Sequence, residues 1–142
     1  MNLCLDIDNI DIKEVAFYKP IQNKIAHYKN FYKILYNIEM FTLNTLIVQV
    51  DVRDLQVIKE NNIYKVSFII DPVFLEKLKL FETKLLDNFN HITNKKIMYS
   101  FNKFINKLIY NTTNPTTNIV LRISGIWESD TQIGITNKLT VN

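Results

Sequence analysis

From Ile119 to Val141 the chain reads Ile-Val-Leu-Arg-Ile-Ser-Gly-Ile-Trp-Glu-Ser-Asp-Thr-Gln-Ile-Gly-Ile-Thr-Asn-Lys-Leu-Thr-Val, two alternating runs joined by a short polar break. Alternation of period two places successive side chains on opposite faces of a strand, and two such runs around a short polar break specify a β-hairpin. This hairpin holds both glycines, the sole tryptophan and one of the two arginines. Parity puts Ile133, Ile135, Leu139 and Val141 inward, with Gln132, Gly134, Thr136, Lys138 and Thr140 on the opposite side. On the partner run Arg122 and Ser124 oppose Leu121, Ile123 and Trp127 in parity, so Arg122 and Lys138 are expected to share an exposed face. Trp127 then reads as a core or hairpin-corner anchor. Gly134 reads as a bulge or as a point where backbone or ligand comes close.

Upstream, the pattern continues in strands. Glu14 to Tyr18 predicts a short strand ended by Pro20, and Phe31 to Asn37 a second. Met40 to Val52 predicts a strand buried on both faces, because Phe41, Leu43 and Ile47 fall on one side and Leu46, Val48 and Val50 on the other. Leu55 to Ile58, a polar turn at Lys59-Glu60-Asn61-Asn62, and Ile63 to Ile70 predict another hairpin. Asp71-Pro72 marks a helix start, since Asp caps free N–H groups and Pro fits the first helical position. Phe74, Leu75, Leu78, Phe81, Leu85, Leu86 and Phe89 then recur at helical spacing, with Glu76, Lys77, Lys79, Glu82 and Lys84 assigned to the solvated face. A second amphipathic helix is expected from Lys96 to Tyr110, with Lys96, Lys103 and Lys107 outward. Asn111 to Asn118 reads as a loop.

Strands, then one or two helices, then two strands lack the regular alternation of a parallel α/β sheet. The expected class is α+β, mostly antiparallel: an OB-like barrel or related sheet, with the amphipathic helices inserted before the C-terminal hairpin. A length of 142 residues suits one domain, 1–142, with an acidic lead-in over residues 1–14. No apolar run approaches the roughly 20 residues of a spanning helix, so no membrane association is expected. No secretory signal is visible at the N-terminus, and Cys4 has no disulfide partner, which fits a reducing intracellular compartment.

Composition narrows the chemistry. Two isolated histidines, His27 and His91, and a lone cysteine offer no zinc spacing, so neither metal nor cofactor is expected. Two separated glycines cannot build a phosphate loop. Asp6-x-Asp8-x-x-Asp11 lacks the glycine and terminal glutamate of a calcium loop. Glu82-x-Lys84 resembles half of a nuclease site but has no acidic partner in view. No catalytic residue is assigned, and a non-enzymatic protein is expected. The net charge of +3 permits a nucleic-acid partner without requiring one. Fifteen lysines against two arginines, with abundant isoleucine and asparagine, is the signature of A/T-rich coding.

Charge and rings coincide at His27-Tyr28-Lys29-Asn30-Phe31-Tyr32-Lys33-Ile34-Leu35-Tyr36. Single-stranded nucleic acid is held by this combination, ring faces stacking on bases while cations follow phosphates. On a strand, Phe31, Lys33 and Leu35 share one face and Tyr32, Ile34 and Tyr36 the other. The alternative from the same spacing is a core strand with tyrosines at its rim.

Phe31-Tyr32-Lys33-Ile34-Leu35-Tyr36, Phe41-Thr42-Leu43-Asn44, Leu121-Arg122-Ile123-Ser124-Gly125-Ile126-Trp127-Glu128 and Ile133-Gly134-Ile135-Thr136 together resemble small proteins of nucleocytoplasmic large DNA viruses. Some of those are single-stranded-DNA-binding proteins with an OB-like barrel, and the resemblance spans Phe31 to the end of the chain. It implies a viral protein located in host cytoplasm, viral factory or virion. The combined expectation is binding of single-stranded nucleic acid through Tyr28, Lys29, Phe31, Lys33, Arg122 and Lys138. The competing expectation is a virion component or replication accessory that contacts a protein partner or a second copy of itself.

Overall fold

The computed structural model describes residues 3–22, 30–39, 41–104, 106–111 and 118–141. In chain order the strands are β1 (Cys4–Leu5), β2 (Val15–Phe17), β3 (Ile21–Gln22), β4 (Asn30–Ile38), β5 (Phe41–Leu43), β6 (Leu46–Gln49), β7 (Val52–Glu60) and β8 (Ile63–Ile70). Helix α1 (Pro72–Thr93) follows, then β9 (Lys96–Met98), β10 (Asn106–Asn111), β11 (Ile119–Glu128) and β12 (Gln132–Val141). Nine strands share one sheet, and β10-β8-β7 form a second. Strand is the dominant element and α1 the one α-helix among the described residues, an α+β fold built mainly on antiparallel ladders.

Local sequence explains most of these boundaries. Asp71 accepts the Phe74 N–H at 3.2 Å and Pro72 follows at the first helical position, while Asn94 ends the helix in the left-handed region at φ 51°. The β7–β8 hairpin turns on Asn61 and Asn62, both at positive φ as a type I′ turn requires. The run expected as one strand over Met40 to Val52 is broken at Asn44-Thr45: β5 pairs with β4, and β6 with β11. Leu43 of β5 and Leu46 and Val48 of β6 are buried while Phe41 and Gln49 are exposed and Ile47 is half-buried, so residues from both sides of the expected strand reach the core, because the break resets the alternation.

The second helix expected from Lys96 to Tyr110 does not form. Lys96–Met98 is a strand parallel to β12, Phe101–Lys103 a 3-10 turn, and Asn106–Asn111 a strand antiparallel to β8. The apparent helical spacing of Phe101 and Phe104 belongs to the 3-10 turn, where the two rings pack 5.1 Å apart. The Lys107 ammonium lies 4.4 Å from the Phe104 ring centroid. No basic helix face exists here.

The core lies between α1 and the inner faces of the sheets. Phe89 of α1 meets Phe17 and Tyr32 edge-on, at 5.1 and 4.7 Å between centroids. Glu82, expected on the solvated side of α1, is instead fully buried. Leu75, Leu78, Glu82, Leu85 and Phe89 are spaced three and four apart, so Glu82 stands inside the apolar stripe. Its carboxylate accepts the Ser100 N–H and hydroxyl at 2.7 and 3.0 Å and the Phe101 N–H at 3.1 Å, capping the 3-10 turn. No described helix is long and apolar enough to cross a membrane.

Candidate nucleic-acid interface

The ladders of β11 decide which side chains share a face. Ile123 pairs with Asn137 and Gly125 with Thr136, so Ser124 is an extra residue, a β-bulge. An inserted residue exchanges the two faces beyond it. Before the bulge Ile119, Leu121 and Ile123 point into the core; after it Ile126 and Glu128 do. Trp127, expected beside Leu121 and Ile123, is therefore moved to the face of Arg122 and is half-buried there.

Cross-strand pairs complete that outer face. Phe31 lies directly opposite Trp127 and Lys33 opposite Gly125, while Tyr32 falls inward with Ile126. Ile21, Phe31, Trp127, Gly134 and Met98 form one row across five strands, about 19 Å at the usual strand spacing. A second row runs Cys4, Ile47, Arg122, Lys138. Arg122 and Lys138 are both exposed and directly opposed, as parity requires. The four sequence-predicted residues Phe31, Lys33, Arg122 and Lys138 thus share one face, joined by Lys96 of β9. Tyr28 and Lys29 lie outside the described residues.

The two glycines underlie this face. A Cβ on Gly134 would fall inside the Trp127 indole, and one on Gly125 would strike the Tyr32 carbonyl and the Phe31 ring. Gly134 is thus neither a bulge nor an open ligand approach: the ring of its cross-strand neighbour fills the space its missing side chain leaves. Both rings lie down over glycines, an arrangement that widens the aromatic surface.

Charge is absent in one sign. None of the described residues registered on the outer face is Asp or Glu, and Lys33, Arg122 and Lys138 make no ion pair with a described residue. The inner face carries the carboxylate of Glu128. It accepts from Asn30 Nδ2 at 2.7 Å and Tyr32 Oη at 3.1 Å, and pairs with Lys95 Nζ at 3.0 Å. Burial pushes the Glu128 carboxyl up, but the hydrogen bonds from Asn30 and Lys95, the Lys95 charge and the Tyr32 hydroxyl together hold it below the usual value. The Tyr32 phenol is raised by burial first, then by the Glu128 charge and hydrogen bond.

The acidic lead-in is occupied in structure. Asp6 and Asp11 accept the Asp8 and Lys13 N–H groups at the starts of two 3-10 turns, and Asp8 pairs with Lys77 at 2.8 Å. Among the described residues no three His, Cys, Asp or Glu side chains converge as metal ligands.

Sequence reasoning missed Trp127 and Lys96. A sheet context for Lys96-Ile97-Met98 was available in its own alternation, but the bulge that moves Trp127 leaves no mark in the residue types. The chain matches no family model, no curated protein and no solved structure.

Proposed function

We propose that the outer face of the large sheet binds single-stranded nucleic acid without catalysing a reaction on it. The observation that carries this reading is the direct cross-strand pairing of Phe31 with Trp127 on a face that bears Lys33, Lys96, Arg122 and Lys138 and, among the described residues, no acid. Rings half-open to solvent stack on bases regardless of sequence, and cations beside them neutralise phosphates. A duplex keeps its bases stacked inside and cannot use the rings. Kinship with the OB-like single-strand-binding proteins of large DNA viruses belongs to the same reading. It is supported by the mainly antiparallel β-rich architecture, in which one edge of β11 passes from β6 to β4 across the bulge at Ser124, although neither sheet closes into a barrel.

Trp127 is the sole tryptophan and lies on the proposed surface, so its fluorescence reports binding. Titration with oligothymidylate is expected to quench it saturably, with affinity falling as salt rises. Phe31→Ala should weaken binding by about 1–3 kcal/mol. Absence of saturable quenching at low salt would sink the proposal.

A protein partner is the second reading, favoured by the exposed apolar side chains Val57, Ile58, Ile63 and Tyr110 on the small sheet. It predicts that Ile58→Lys and Tyr110→Lys shift a self-associating protein to monomer in light scattering while leaving oligonucleotide binding unchanged.

A further inference from the structure

Arg122 and Lys138 are direct cross-strand neighbours on β11 and β12. Side chains in that relation start about 5 Å apart, and like charges there repel. Neither cation has an acid within ion-pair distance among the described residues. Beside them the outer face dips into an open hollow of about 290 Å³, bounded also by Gln49, Asn118 and Thr140. Its floor includes Val120, which is buried yet stands apart from the core beneath the sheet. Guanidinium, ammonium, two carboxamides and a hydroxyl surround it. The Gln49 amide is partly engaged, donating to the Ile119 carbonyl at 3.5 Å and accepting the Cys4 thiol at 3.6 Å.

Resting on the single-strand reading above, we infer that this hollow takes a terminal phosphate monoester of the bound strand in preference to an internal diester. A phosphate monoester carries between one and two negative charges near neutral pH, whereas a diester carries one. Two cations that line one hollow from directly opposed strand positions match a doubly charged group, which relieves the repulsion between them. A diester chain passing over the hollow meets them one after the other. Arg122 offers a planar fork to two phosphate oxygens and Lys138 a point charge. Arg122 also walls a neighbouring hollow that contains Phe41, Thr42, Asn44 and Thr45. The end nucleotide can therefore straddle Arg122, its phosphate on the Lys138 side and its base against the exposed Phe41 ring.

The test compares three tetrathymidylates, one with a 5′-phosphate, one with a 3′-phosphate and one with neither, by quenching of Trp127. One phosphorylated end is expected to bind about tenfold more tightly than the unmodified strand. Arg122→Gln and Lys138→Gln should each abolish that preference, with thermal melting showing that both variants fold. Cys4, on the same hollow, should be protected from a thiol reagent by the preferred end. Equal affinity for all three strands overturns the end-binding inference and leaves the single-strand reading standing. Absence of quenching by any of them overturns that reading itself.

Discussion

On the inner face of the large sheet Glu128 is held by Asn30, Tyr32 and Lys95, whereas on the outer face Arg122 and Lys138 oppose each other with no acid among the described residues. The inner charge is matched atom for atom, because an unmatched charge out of water costs several kcal/mol. The outer charges are left to solvent, where they cost little and remain available to a ligand. Removing an inner charge should therefore damage the fold, and removing an outer one should damage binding.

The largest effect is expected at Glu82. Glu82→Ala strips three hydrogen bonds from Ser100 and Phe101 and leaves the buried Phe101 N–H and the half-buried Ser100 donors without this acceptor. Loss of about 3 kcal/mol or more is expected in urea unfolding. Glu82→Gln, which retains one oxygen, should lose less. A change below about 0.5 kcal/mol for Glu82→Ala would break the contrast between a matched buried charge and an exposed one.

The glycines come next, because they join the two faces. Gly125→Val forces a side chain against the Tyr32 carbonyl and the Phe31 ring, a backbone clash that neither strand can escape by rotating a side chain. A destabilisation of about 2–3 kcal/mol is expected. Gly134→Val meets only the Trp127 ring. It should cost less and displace the indole, detected as a shift of its emission together with weaker oligonucleotide binding.

These positions also show how far the amino-acid pattern was legible. Asp71-Pro72 announced α1, and Asn61-Asn62 announced a turn, because capping and positive φ are local demands that particular residues meet. The parity of Phe31, Lys33, Arg122 and Lys138 was readable because two-residue periodicity survives along β4 and β12 and along β11 as far as Ile123. Trp127 was not, since the bulge at Ser124 is set by pairing with β12 and β4 and resets the parity beyond it. Residues 96–110 misled for a related reason: their spacing suits a helix, but β12 and β8 supply partners that draw out strands. Glu82 was hidden by its chemistry. Its position in the three-and-four spacing marked it as inward, and its acceptors answer donors eighteen and nineteen residues away.

Acid should erode the inner face first. The Glu128 carboxyl is held below its ordinary value, so its folded pKa lies under the unfolded one of about 4.3. Its contribution is present above the unfolded value and is lost as pH falls through the folded value. Tyr32 has the opposite sign: its phenol is raised, so its contribution is present below about 10 and is lost as pH rises through the folded value. Through these two groups the melting temperature should fall at both ends of the pH range, and Glu128→Gln should reduce the acid-side fall. An acid limb equally steep in Glu128→Gln would assign that fall to other carboxylates.

The smallest effect on stability sharpens the comparison most. Lys138→Glu turns the directly opposed like-charge pair into an opposite-charge pair with Arg122. Because both positions are exposed, the gain should be about 0.2–1 kcal/mol, and it should shrink with added salt. The same substitution places a carboxylate on a face that carries none among the described residues and ties Arg122 to it, so oligonucleotide binding should fall by far more than the fold gains. A variant that melts slightly higher and no longer quenches Trp127 fluorescence on titration separates the two faces in one protein. A variant that loses stability would show that the Lys138 side chain supports the sheet, and the outer face would then have to be counted with the inner one.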